Sequence, residues 1–159
     1  MKKLLALALV LAMMALPVTA FADDAGVQII SGDEEPSSNS FDDLKIDTEI
    51  EIDGYGVITP IKFQFIDSGE TKYAYLSIDV LNTALVDKNF GAQCGVKAVY
   101  DDKYEYEGKL NSGNKSVAPL YVSHCIFEVI LPKAAADGKG PLKMIITLDD
   151  YEFTYHIRK

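Results

Sequence analysis

The chain has 159 residues, with 15 Lys and Arg against 24 Asp and Glu for a net charge of −9, two Cys and no Trp. That balance, with no basic cluster, excludes a nucleic-acid binder, which must neutralise phosphates. The size fits one domain with its own core, and two cysteines are too few for a disulfide-built scaffold.

Residues 1–22 have the layout of a secretory signal peptide. Lys2 and Lys3 precede an apolar run from Leu4 to Val18, and Ala20-Phe21-Ala22 supplies small residues for cleavage after Ala22. An uncleaved anchor is the alternative, because Leu4 to Ala22 approaches the span of a membrane helix. Cleavage predicts a secreted, extracellular protein with no stable membrane span. It also removes Lys2 and Lys3, which moves the net charge to −11. No Cys follows the apolar run, so lipid attachment there is not expected.

Residues 23–43 read as an acidic, flexible linker. From Asp23 to Asp53 there are 11 acidic residues and one Lys, and Gly32, Pro36 and Ser37-Ser38-Asn39-Ser40 carry little that can form a core. Val27-Gln28-Ile29-Ile30 interrupts the polarity. It can add a strand to a sheet edge, in this molecule or a partner, or be a sticky patch in an unstructured tail.

Period-two alternation dominates the domain over residues 44–159. Ile46, Thr48, Ile50 and Ile52 share one face of a first strand, and Asp53-Gly54 is a turn signal. Val57 to Ile66 is a second strand in which Pro60, lacking an N–H, demands an edge or a bulge. Asp67-Ser68-Gly69-Glu70 turns into a third strand, Tyr73 to Leu81, with Ala74, Leu76, Ile78 and Val80 inward. Ala92 to Tyr100 is the fourth. Asp101-Asp102-Lys103 turns into Tyr104-Glu105-Tyr106-Glu107, and Gly108 to Ser116 reads as a polar loop. Leu120 to Leu131 reads as the longest strand, with Tyr121, Cys125, Phe127, Val129 and Leu131 on one face. Lys133 to Asp137 makes one helical turn ended by Gly138. Leu142 to Leu148 and Tyr151 to Arg158 flank Asp149-Asp150 as a tight hairpin. About eight short, mostly antiparallel strands with frequent turns predict an all-β sandwich.

Val96 to Gly108, Phe127 to Lys133, Pro141-Leu142-Lys143 and the closing hairpin resemble a group of secreted Gram-positive proteins. These are immunoglobulin-like domains of unknown function, similar in fold to the mycobacterial secreted immunoprotein. The resemblance covers roughly Leu44 to Lys159 and implies an immunoglobulin-like β-sandwich of bacterial origin. It carries over no catalytic residues. Antibody-type domains match less well, since no Trp is present and no Tyr stands two residues before Cys125.

Cys94 and Cys125 both alternate onto core faces, so a disulfide between them is expected, with two buried free thiols as the alternative. His124 and His156 fall on polar faces without metal-ligand spacing, and no metal or cofactor is expected. Asp42-Asp43, Asp101-Asp102 and Asp149-Asp150 sit in turn-like stretches, where Asp serves backbone geometry. Calcium between such turns is an alternative use for them. Nine tyrosines give two candidate ligand-binding pairs, Tyr73 with Tyr75 and Tyr104 with Tyr106. Cross-strand aromatic packing explains the same pairs without a ligand. The expected function is a non-catalytic secreted binding or interaction module, not an enzyme, with an unidentified protein or a cell-surface glycan as partner. A carbohydrate-binding accessory protein using a Tyr-rich sheet face is the alternative. A glycan hydrolase using paired carboxylates is the second alternative.

Overall fold

A computed structural model describes residues 28–30, 39–89 and 94–159. The leader, most of the linker and Ala92 lie outside the described residues. In chain order the strands are β1 (Gln28–Ile30), β2 (Ser40–Asp42), β3 (Ile50–Ile52), β4 (Gly56–Ser68), β5 (Thr71–Leu81) and β6 (Lys88–Asn89). They continue with β7 (Cys94–Tyr100), β8 (Tyr104–Ser112), β9 (Ser116–Val117) and β10 (Val122–Pro132). A short helix, α1 (Lys133–Ala136), leads to β11 (Leu142–Leu148) and β12 (Tyr151–Arg158). Eight of these match the predicted strands, β1 is the edge strand that Val27-Gln28-Ile29-Ile30 can supply, and β2, β6 and β9 are two- or three-residue additions.

Ten strands form one continuous ribbon in the order β1-β3-β4-β5-β10-β8-β7-β11-β12-β2, and β6 pairs with β9. The ribbon folds on itself at β8. Tyr104 to Glu107 pair with β7 in one layer, and Gly108 to Ser112 pair with β10 in the other. The product is an all-β sandwich. Only the outermost pairs, β1 on β3 and β2 on β12, are parallel. The remaining side is laced by the chain between β2 and β3. Leu44 N–H donates to the Thr154 carbonyl of one layer at 2.9 Å, and Asp47 N–H to the Pro60 carbonyl of the other at 2.8 Å.

Alternation builds the core. Ala74, Leu76, Ile78 and Val80 of β5 are fully buried, as are Phe127, Val129 and Leu131 of β10 and Met144 and Ile146 of β11. Burying one such side chain contributes on the order of 2 kcal/mol. Arg158 closes the far end of β12 by donating to the carbonyls of Gly140, Ala136 and Ala135.

Several expectations are corrected. Ile46 and Asp47 belong to a turn, with Asp47 at φ 59, so β3 begins only at Ile50. Aspartate tolerates that left-handed conformation, and the alternating apolar residues hid the turn. The longest strand is β4, whose register shifts between Pro60 and Lys62, the bulge that Pro60 requires. Gly108 to Ser112 is strand and not loop. Tyr121 lies outside β10 and is 69% exposed.

Gly108 sits where β8 passes between layers. A Cβ there would collide with the Glu128 carbonyl and lie 2.6 Å from Val129 Cγ2 and 2.8 Å from Val96 Cγ1. Gly95, one strand away, has nothing within 4 Å of the same position. Gly108→Ala should therefore destabilise by about 2 kcal/mol through overpacking, whereas Gly95→Ala should stay within about 0.5 kcal/mol of wild type. Chemical denaturation of the two variants checks this.

Candidate functional site

Two surfaces stand out, one expected and one not. The expected surface is the outer face of β4, β5 and β10. Register places Tyr73 between Ile66 and Ile130, and Tyr75 between Gln64 and Glu128, with Lys109 of β8 beyond Glu128. The Tyr73 and Tyr75 rings lie nearly parallel, 6.1 Å apart at 10°. Both are half-buried, and the flanking Ile66 and Ile130 are exposed. Glu128 is a buried carboxylate, offset by a hydrogen bond from Tyr75 and by Lys109 Nζ at 3.4 Å. That bond is the main cause of a raised Tyr75 pKa, since ionising the phenol would lose it and face the carboxylate. An apolar row thus lies beside a polar one, the arrangement a sugar ring uses for stacking and hydroxyl contacts.

Tyr104 and Tyr106 are elsewhere. Tyr106 opposes the buried Ala98 and packs half-buried on the core. Tyr104 is exposed, stacks on Tyr100 at 6.5 Å and has Lys103 Nζ over its ring at 5.1 Å. The two tyrosine pairs are not brought together.

The acidic pairs are also dispersed. Asp101 and Asp102 form a turn with both residues at positive φ, at the end of the sandwich opposite Asp149-Asp150. Asp102 pairs with Lys143 at 2.8 Å. Asp43 pairs with Lys159 at 2.9 Å, and that contact lowers its pKa. His124 Nδ1 meets the Asp79 carboxylate at 2.5 Å on an exposed cross-strand site. Among the described residues no three His, Cys, Asp or Glu side chains are grouped to hold a metal ion, and no helix is long and apolar enough to cross a membrane.

The expected disulfide is corrected too. Cys94 and Cys125 are free thiols, Cys94 half-buried and Cys125 buried. Cys125 Sγ lies 3.5 Å from the Ser123 hydroxyl, and the Gly113 backbone packs against it. Burial raises both thiol pKa values, so neither is poised as a thiolate.

The unexpected surface is at the end of the sandwich where β5 finishes and β10 begins. Leu85, Val86, Leu120, Tyr121 and Val122 are 87, 64, 71, 69 and 54% exposed. The first four ride on two loops held together by Asn82, which is fully buried, and Val122 opens β10 beside them. Asn82 Nδ2 donates to the Val86 and Val117 carbonyls, both at 2.8 Å, and its Oδ1 accepts from Ala84 N–H at 2.9 Å. Its backbone N–H donates to the Tyr121 carbonyl, and its carbonyl accepts from Leu120 N–H. Pairing of β6 with β9 fastens the same loops again. Leu120 has φ 61, a left-handed conformation costly for a branched side chain. Exposed apolar side chains on hydrogen-bonded loops with one strained backbone position make this end a candidate contact surface. The one sequence signal for it is Ala84-Leu85-Val86, apolar residues in a stretch that alternates with nothing.

Asn82→Ala should cost about 2–3 kcal/mol, because it strands the buried Val117 carbonyl and removes the partner of the part-buried Val86 carbonyl and Ala84 N–H. Hydrogen exchange should then accelerate across residues 83–89 and 114–121. Leu120→Gly should preserve or raise stability by about 1 kcal/mol by relieving the backbone. Denaturation curves with exchange mass spectrometry check both.

No family model matches the chain, and no curated protein matches it. Among solved structures it is similar to an uncharacterized β-sandwich protein from Clostridium difficile 630, with a TM-score of 0.62 at 16% identity, covering 79% of this chain and 99% of that one. The archaellum periplasmic stator protein FlaG from Sulfolobus acidocaldarius also aligns, with a TM-score of 0.38 at 17% identity over 64% of this chain and 99% of its own. The first likeness shows a shared β-sandwich fold.

Proposed function

We propose that the chain is a non-catalytic, secreted binding module of immunoglobulin-like type that docks a protein partner through its pinned loop end. The leader-like residues 1–22 support the extracellular location. The observation that carries the docking role is the exposure of Leu85, Val86, Leu120 and Tyr121 on loops that Asn82 fixes in place, with Val122 exposed at the start of β10 beside them. Preorganised loops lose little entropy on association, and a Tyr flanked by aliphatic side chains is a typical energetic centre.

A second reading is carbohydrate binding on the outer sheet face, favoured by the near-parallel Tyr73 and Tyr75 rings beside Gln64 and Glu128.

Affinity recovery from culture medium and cell-wall fractions separates the readings. Wild-type protein should retain a defined partner that the double variant Leu85→Ser, Tyr121→Ser loses, with the melting temperature unchanged. Equal recovery by both proteins would overturn loop docking. For the second reading, Tyr73→Ala should weaken binding to an arrayed glycan about tenfold, the equivalent of one lost stacking contact. Glycan turnover by purified protein, lost on replacing one acidic pair, would overturn the non-catalytic assignment.

A further inference from the structure

β5 pairs with β4 along its whole length, from Val57 opposite Leu81 to Ser68 opposite Thr71. The other side of β4 is covered much less. β3 reaches only Gly56 to Ile58, and the Asp47 to Pro60 hydrogen bond is the last backbone contact there among the described residues. Among the described residues none pairs with the outer side of residues 62–68, which present an open sheet edge. Pro60, the bulge and Lys62 protect its upper end, but Phe63, Gln64, Phe65 and Ile66 carry none of the usual devices against pairing.

This edge is self-complementary. Phe63-Gln64-Phe65 reads the same in both directions about Gln64. A two-fold axis through Gln64, perpendicular to the sheet, sets two copies antiparallel with every side chain facing a residue from the same face. Gln64 then meets Gln64 of the second copy, where two primary amides can exchange hydrogen bonds. Phe63 meets Phe65, and the Lys62 stem covers Ile66, which is 48% exposed. Phe63 and Phe65 are half-buried rings in edge contact at 5.0 Å, and Phe63 also lies 5.4 Å from Tyr155. A second copy extends that aromatic row across the edge. Centring the axis on Phe65 would instead oppose Gln64 to Ile66 and Phe63 to Asp67, losing both the amide pair and the match of Phe63 with Phe65.

We propose that the chain forms a two-fold dimer by antiparallel pairing of the β4 edge about Gln64, joining two sandwiches into one continuous sheet. The outer faces then adjoin, and Tyr73 and Tyr75 of both copies share one surface. The loop end with Leu85 and Leu120 stays free. The dimer is therefore independent of which ligand either surface takes.

Gln64 is exposed, so its replacement leaves folding intact. Sedimentation velocity over a concentration series should show wild-type dimer. Gln64→Lys and Gln64→Glu each set like charges opposite one another at the axis and should weaken the dimer at least about tenfold. An equimolar mixture of the two variants should recover it, because Lys then faces Glu. Circular dichroism should report the same fold for all. A wild-type monomer throughout the series would overturn the proposal. So would a dimer that both variants retain, one that the mixture fails to restore, or one abolished only by deleting residues 23–38, which would place the contact on the arm.

Discussion

The close approach of β8 to β10 and β7 at Gly108 is the constraint on which the molecule depends. A ten-strand ribbon with apolar residues along one face can bury that face only by folding over. The strand at the fold must hand its hydrogen bonds from one layer to the other within a residue or two. β8 does this between Glu107 and Gly108. The inner faces of β5 and β10 then meet those of β7 and β11, and the buried side chains of all four form one cluster. A side chain at Gly108 would hold the layers apart where Val96 and Val129 need to converge.

The same closure leaves a surplus of apolar side chains at one end. Loops leaving a sandwich usually carry polar residues, because nothing covers them. Here the buried position goes to an amide and the exposed ones to Leu, Val and Tyr. An unpaired buried Asn would cost several kcal/mol, so its retention requires every polar atom to be used. Asn82 uses them all, and each bond terminates on one of the two apolar loops. Rigidity is thus obtained by hydrogen bonding, and the apolar groups that would ordinarily supply it remain outside. Leu120 adds backbone strain to the same arrangement, which is hard to account for by folding alone.

Much of the fold was legible because alternation is strong where one face is buried. The inward sets of β5 and, from Cys125 onward, of β10 follow directly from their residues, and Pro60 called for an edge or a bulge. Legibility failed where a local backbone feature interrupts a continuing pattern. Ile46 keeps the parity of Ile50, but the chain turns at Asp47. Tyr121 keeps the parity of Cys125, but Leu120 turns left-handed just before β10 begins, which frees Tyr121 for solvent. Gly108 to Ser112 look like loop because a glycine and polar residues suit an edge-like, layer-switching strand as well as a turn. Of the candidate site, Tyr73 and Tyr75 were found by parity. The loop end was not, since its cause is Asn82, whose role depends on partners 35 to 39 residues away in sequence.

Open edges invite unlimited pairing, and the arrangement of this sheet limits it. Edge pairing about a two-fold axis consumes the edge of each copy and closes, whereas a head-to-tail contact would propagate. The ribbon's two termini, β1 and β2, are three-residue strands bound in parallel, too short to template a neighbour. The acidic residues between Asp23 and Asp53 lie next to both in sequence, so approaching copies repel one another there. The nearly neutral remainder, which contains the β4 edge, carries no such barrier. Charge segregated into the arm therefore keeps the ends of the ribbon apart while leaving its one long, self-matching edge available.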